Sequence, residues 1–275
     1  MNDVLPVARD AVRTLWRHKR LWVLGLFVAA GAGGGTRFDA PADPSGITAG
    51  WVAGLVLIAA LTGVITLALH VISEGALIDA VREERRGRVP SLGPAWRRGL
   101  ASAGSILGIK ALTWVASSAV VAAAAAPLLL GIVEILPLAL GVALTVPLVI
   151  VAVPTVLSLY LAHEIGLRMV VLEQRRAVDA LRAGLRFLRG RLRFALTLLV
   201  VDGVAQLVTA LVAVPFVLVA LAIGGATYAA AGLVPAVAVG AIVLAPIALA
   251  LTGARGTFRS ALWTHGMLDG RPGAA

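Results

Sequence analysis

Asp202 is the residue whose type and position most invite chemistry. It stands in the apolar run Leu199-Val200-Val201-Asp202-Gly203-Val204-Ala205-Gln206, within a segment over 194–224 long enough to cross a membrane. An ionised carboxylate in hydrocarbon costs several kcal/mol, so it must face a bundle interior or water. On a helix Gln206 lies one turn further along the same face, with Thr209 after it. Such a row can relay a proton or a cation, or it can hydrogen-bond a neighbouring helix. No second intramembrane carboxylate accompanies Asp202, which favours the hydrogen bond, with Ser117, Ser118 or a kinked carbonyl as partner. Lys110, in another apolar segment, is the remaining intramembrane polar candidate. By register it is offset from Asp202 by about 10 Å of helix rise, so it is expected to snorkel to the headgroups.

No other group points to catalysis. His18, His70, His163 and His265 include neighbours of Glu74 and Glu164, but none has a metal-site spacing. The chain has no cysteine, which excludes thiolate ligands and a cysteine nucleophile. No phosphate loop, dinucleotide fingerprint, nucleophile elbow or zinc-protease motif occurs. The expectation is a protein that is not an enzyme and carries no metal or cofactor.

The elements that must position these residues are apolar blocks. Of 275 residues 60% are hydrophobic and only 14% charged, and the mean hydropathy is +0.96. A soluble domain carries about 25% charged residues. Spans are predicted over 48–73, 103–131, 135–162, 194–224 and 230–253, with a first one from Leu15 to Gly35. Residues 4–20 form an amphipathic interfacial helix, with Val4, Val7, Ala11 and Leu15 against Arg9, Arg13, Arg17 and Arg20. Ala30-Gly31-Ala32 resembles a signal cleavage site, yet the basic region before the apolar run is too long for an ordinary signal. Pro127, Pro137, Pro147, Pro154, Pro215, Pro235 and Pro246 fall in or beside spans and would kink them. The stretch Thr257–His265 reads as another interfacial helix, with Trp263 at headgroup level.

The net charge is +10, from 24 Lys+Arg against 14 Asp+Glu. Of those 24, 22 fall in four segments: 4–20, 74–101, 163–193 and the stretch after Gly253. Lys110 and Arg37 are the exceptions. The positive-inside rule then places six spans with both termini cytoplasmic, in a cytoplasmic (inner) membrane of bacterial type. Basic loops beside anionic lipid account for the charge without nucleic acid. The candidate lipid contacts are Arg13, Arg17, Arg97, Arg98, Arg182, Arg186, Arg189 and Arg193, in helices 4–20, 88–101 and 177–193 lying along the cytoplasmic face.

Three segments resemble one another: Asp10-Ala11-Val12-Arg13-Thr14-Leu15-Trp16, Pro94-Ala95-Trp96-Arg97-Arg98-Gly99-Leu100 and Asp179-Ala180-Leu181-Arg182-Ala183-Gly184-Leu185. Each precedes an outward span and suits a helix start. The fold class expected is an all-α polytopic membrane bundle of about six transmembrane helices. It forms one integral membrane domain over 1–275, with a three-fold parallel repeat of helix-hairpin units near 4–87, 88–172 and 173–268.

The basic helix before span one, together with Gly87-Arg-Val-Pro-Ser-Leu-Gly-Pro-Ala-Trp-Arg-Arg-Gly-Leu100 before span three, resembles a loose group of uncharacterised bacterial six-span integral membrane proteins. That group includes the membrane domain attached to some glycerophosphodiester phosphodiesterases. The resemblance covers most of the chain and implies no catalytic residue. The functional expectation is a non-enzymatic membrane protein that organises lipids, a partner protein or a second copy of itself through basic cytoplasmic helices. The alternative is a small permease with a polar path at Asp202.

Overall fold

A computed structural model describes residues 4–33 and 49–270. The described residues are helical: α1 Val4–Arg17, a 3-10 turn Lys19–Leu21, α2 Trp22–Gly33, α3 Ala49–Arg85, α4 Leu92–Ile132, α5 Leu138–Glu173, α6 Ala177–Ala231 and α7 Leu233–Asp269. The polar loop 36–47, with Arg37, Asp39, Pro41, Asp43 and Pro44, lies outside the described residues, as do Gly34, Gly35 and Arg271.

Helices α3 to α7 are each long and apolar enough to cross a membrane. Their exposure follows the same logic. Trp51, Leu55, Val56, Leu57, Ile58, Leu61, Val64 and Ile65 of α3 are exposed, whereas Ala76, Leu77, Ile78 and Val81 of the same helix are fully buried. α5 repeats the pattern, exposed through Val153 and buried from Leu161 to Val171. α7 is exposed at Val234, Val237, Ile242 and Leu249, then buried at Ala261, Leu262 and Trp263. Apolar surface of this extent is the face a helix shows to lipid. A multi-pass helical membrane protein follows. The shortest of these helices, 36 residues, is about 54 Å long, against a hydrocarbon core of about 30 Å. Each long helix is therefore longer than the hydrocarbon core is thick.

α2 has 12 described residues, about 18 Å of helix. It packs on α3, with Leu24 and Val28 beside Ala76, Leu77 and Ala80, and Leu21 of the 3-10 turn and Ala95 of α4 join the same cluster. It also meets α7 at a crossing of small residues. A Cβ on Gly25 would collide with the Gly253 carbonyl, and one on Gly256 with the Gly25 carbonyl, the close approach that glycine permits between membrane helices. Thr257 Oγ1 donates to the Leu21 carbonyl at 3.1 Å and to its own helix at Gly253.

The packing divides into two compact units. One holds Ala101–Leu199 with the end of α7 from Gly266, and the other holds Leu5–Leu100 with Val200–His265. Within each, a basic segment stands antiparallel on the buried end of another helix. In α4, Gly99 abuts the Ile72 carbonyl of α3, and in α6, Gly184 abuts the Ala162 carbonyl of α5. α1 meets α7 through Thr14 and His265, then Leu21 and Thr257. Ala11, Ala95 and Ala180 are all buried, at 0%, 3% and 0% exposure.

This arrangement differs from helices lying flat on the cytoplasmic face. Residues 88–101 form no separate helix, since α4 runs unbroken from Leu92 into its apolar half. Helix 177–190 is set off from the rest of α6 by non-helical angles at Arg191 (φ −142, ψ 30). It remains stacked along α5. The cause is the small side chains Ala180, Ala183 and Gly184: they let two backbones touch, and that packing takes the apolar face a lipid interface would otherwise have held. Thr257–His265 likewise belongs to continuous α7, and Trp263 is 1% exposed rather than at headgroup level. Pro127, Pro147, Pro154, Pro215 and Pro246 are inside helices, as expected for membrane segments.

Candidate functional site

Asp202 lies on α6 between the exposed Val200 and Val204, and is itself 5% exposed. Its face is turned to α7. Arg255 Nη2 sits 2.5 Å from Oδ1 and also donates to the Asp202 carbonyl at 3.1 Å. Arg259 Nε lies 3.5 Å from Oδ2. One guanidinium thus grips both the side chain and the backbone of Asp202, and a second approaches from one turn further along α7. Arg255 follows the last exposed large apolar side chain of α7, Leu249, by six residues, about 9 Å of helix. The cluster therefore sits where the lipid-facing surface ends. That position lowers the cost of holding charge there.

The remaining sequence candidates are distributed as follows. Gln206 is exposed, one turn from Asp202, and Thr209 Oγ1 donates to the Ala205 carbonyl at 2.8 Å. Lys110 and Ser117 are half-buried on α4, and Ser118 is exposed. Arg13, Arg17, Arg97, Arg98, Arg182, Arg186, Arg189 and Arg193 are all exposed. Arg98 also pairs with buried Asp79 at 2.6 Å, which ties α4 to α3.

Sequence reading missed the charges that the fold buries. In the sequence Arg168 is one of many arginines in the basic segment 163–193. It is 2% exposed and holds Glu164 Oε2 at 2.5 Å and the Glu164 carbonyl at 2.6 Å. The i,i+4 Glu-Arg spacing was the available signal. Arg255 falls in the basic stretch after Gly253, and Arg259 in the segment expected as an interfacial helix. Their own spacing of four and the apolar run before them mark a continuing helix.

Histidines form further polar links among the described residues. His18 lies 3.3 Å from Glu84, His265 3.2 Å from Thr14 Oγ1, and His163 3.3 Å from Thr113 Oγ1. His70 Nδ1 is 3.1 Å from the Phe27 carbonyl. Among the described residues no three His, Asp or Glu side chains gather as a metal site. Near the first break, Trp22 Nε1 donates to the Leu15 carbonyl at 3.0 Å, Trp16 meets Trp22 edge-on at 6.1 Å, and Lys19 Nζ stands 5.9 Å over Trp16.

No protein-family model matches the chain, and no curated protein or solved structure matches it either.

Proposed function

We propose that this chain is a non-enzymatic protein of a bacterial cytoplasmic membrane that organises anionic lipids or a protein partner through its cytoplasmic arginines. The observation that supports this best is the exposure of all eight arginines picked out from the sequence, set just past helices whose other halves face lipid. α1 adds a second support. Leu5, Val12 and Trp16 are exposed on it at 79%, 43% and 61%, interleaved with exposed Arg9, Arg13 and Arg17. Apolar teeth among basic residues suit an anionic interface. A permease working through Asp202 has less support, because that carboxylate is engaged by Arg255 and Arg259.

The lipid part of the proposal is tested in nanodiscs. Changing Arg182, Arg186, Arg189 and Arg193 together to glutamine is expected to lower retention of anionic phospholipid, each residue near the surface contributing up to about 1 kcal/mol. Retention equal to the parent's would overturn it.

Six spans, with both termini cytoplasmic, belong to the same proposal. The α2–α7 glycine crossing supports a first span that joins the bundle. Reporter fusions at 42 and 226 should read outside, and those at 90 and 180 inside; a cytoplasmic signal at 42 would remove the first span. The three-fold repeat is supported by buried Ala11, Ala95 and Ala180, and by three antiparallel pairings near equivalent points of the sequence. The resemblance to six-span membrane proteins and to phosphodiesterase-linked membrane domains remains part of this reading.

A further inference from the structure

The exposed arginines of helix 177–190 differ from those of α1. Its apolar side, Ala180, Leu181, Ala183 and Leu188, is buried. Arg182, Arg186 and Arg189 lie on the opposite side, and exposed Arg193 follows the break at Arg191. Between Val178 and Leu192 no large apolar side chain is exposed. This face has nothing to insert into lipid.

Depth separates the arginines further. Gly184 meets Ala162, and Gly166 meets Ala180, so the helix runs antiparallel to α5 in a fixed register. That register sets Arg182 level with Glu164, Arg186 with Tyr160 and Arg189 with Leu157, and Arg193 follows beyond the break at Arg191. Val153, 61% exposed, is the last exposed large apolar residue of α5. Arg189 then lies within about 6 Å of the lipid-facing surface, with Arg193 after it in the chain, whereas Arg186 is about 10 Å and Arg182 about 16 Å beyond it. A headgroup layer is only about 5–8 Å deep, and screening takes over within about 8 Å at physiological salt. Arg176, one residue before this helix begins, is further out still.

We propose that Arg176, Arg182 and Arg186 form a docking face for an acidic protein segment, while Arg189 and Arg193 are the lipid contacts. The proposal rests on the membrane reading above and divides its arginines by depth. All three are exposed and have no ion-pair partner among the described residues. Asp179 is the only acid of helix 177–190. Arg182 and Arg186 are one turn apart, which matches carboxylates repeated at i,i+4 on a partner helix, and their planar forks bind carboxylates bidentately. RNA would want aromatic side chains among the arginines for stacking. The one aromatic here, Phe187, is half-buried and covered by Arg191 at 5.9 Å.

The test uses the full chain in nanodiscs. A synthetic helical peptide with glutamate at every fourth position is titrated in neutral lipid, beside its glutamine counterpart and a single-stranded RNA oligonucleotide. Retention of anionic phospholipid is measured in parallel. The acidic peptide should bind in a salt-dependent way. Arg176→Gln/Arg182→Gln/Arg186→Gln should weaken it about tenfold and lower lipid retention less than Arg189→Gln/Arg193→Gln does. Arg189→Gln/Arg193→Gln should lower lipid retention and leave the peptide unaffected. Loss of peptide binding in the triple variant, with lipid retention unchanged in both, would uphold the docking face while overturning the lipid reading. The docking face is overturned if the peptide does not bind, if the RNA binds more tightly than the peptide, or if the triple variant loses as much lipid as the double.

Discussion

Arg168→Met is expected to destabilise the protein by about 3–5 kcal/mol, the cost of removing one partner from a buried ion pair. Arg168 is 2% exposed, and its Nη1 spans the carboxylate and the carbonyl of Glu164 at 2.5 and 2.6 Å. Methionine keeps most of the volume, so the loss reads as charge rather than as a cavity. It leaves the 4%-exposed Glu164 carboxylate without its guanidinium. The double variant Arg168→Met/Glu164→Gln should recover most of the loss, because both charges then go together. Thermal unfolding of the three proteins in one detergent measures this. A single variant as stable as the parent, or a double variant no better than the single, would show that the pair is not the buried unit described.

The membrane class was legible because lipid imposes long uninterrupted apolar runs, and five of the six predicted spans coincide with the apolar halves of α3 to α7. The ends of those helices were less legible. Residues 92–101 look like a separate interfacial helix because Arg97 and Arg98 break the apolar run. An α-helix continues through any stretch without a breaker, however, and α4 does so. The length of the buried ends was hidden for the same reason: hydropathy marks where lipid stops, not where the helix does. Trp263 shows the matching error. An aromatic near a basic stretch after a span suggests a headgroup anchor, yet α7 continues and buries it.

The repeated alanines stand out in the sequence as a recurring signal, but their physical use does not. Ala11, Ala95 and Ala180 are the buried residues of basic segments that stand upright against another helix, where a larger side chain would separate the backbones. Charge pairing was the least legible part. Asp202 was visible as an oddity within an apolar run, whereas Arg255 is ordinary in a basic tail. They lie 53 residues apart in the chain, a separation that no local pattern encodes.

Asp202→Leu should cost about 2 kcal/mol, below the range for a fully buried pair because part of the stranded charge can reach water. The side chains of Arg255 and Arg259 are 14% and 28% exposed. Arg259 can turn outward once Oδ2 is gone. Arg255 is less free, since its Nη2 also holds the Asp202 carbonyl at 3.1 Å, and that bond keeps the guanidinium in place without its counter-charge. Asp202→Asn should cost less, about 1 kcal/mol, because an amide oxygen still accepts from Arg255 while the charge attraction is lost. Arg255→Leu should cost as much as Asp202→Leu or more, since it removes both the ion pair and the backbone contact. The Asp202→Leu/Arg255→Leu double variant should then be more stable than the sum of the two losses implies, with a coupling of about 1 kcal/mol or more. Unfolding in detergent gives all four values. Additive losses would place the two side chains in separate roles, and an Asp202→Leu protein as stable as the parent would remove Asp202 from the contact between α6 and α7.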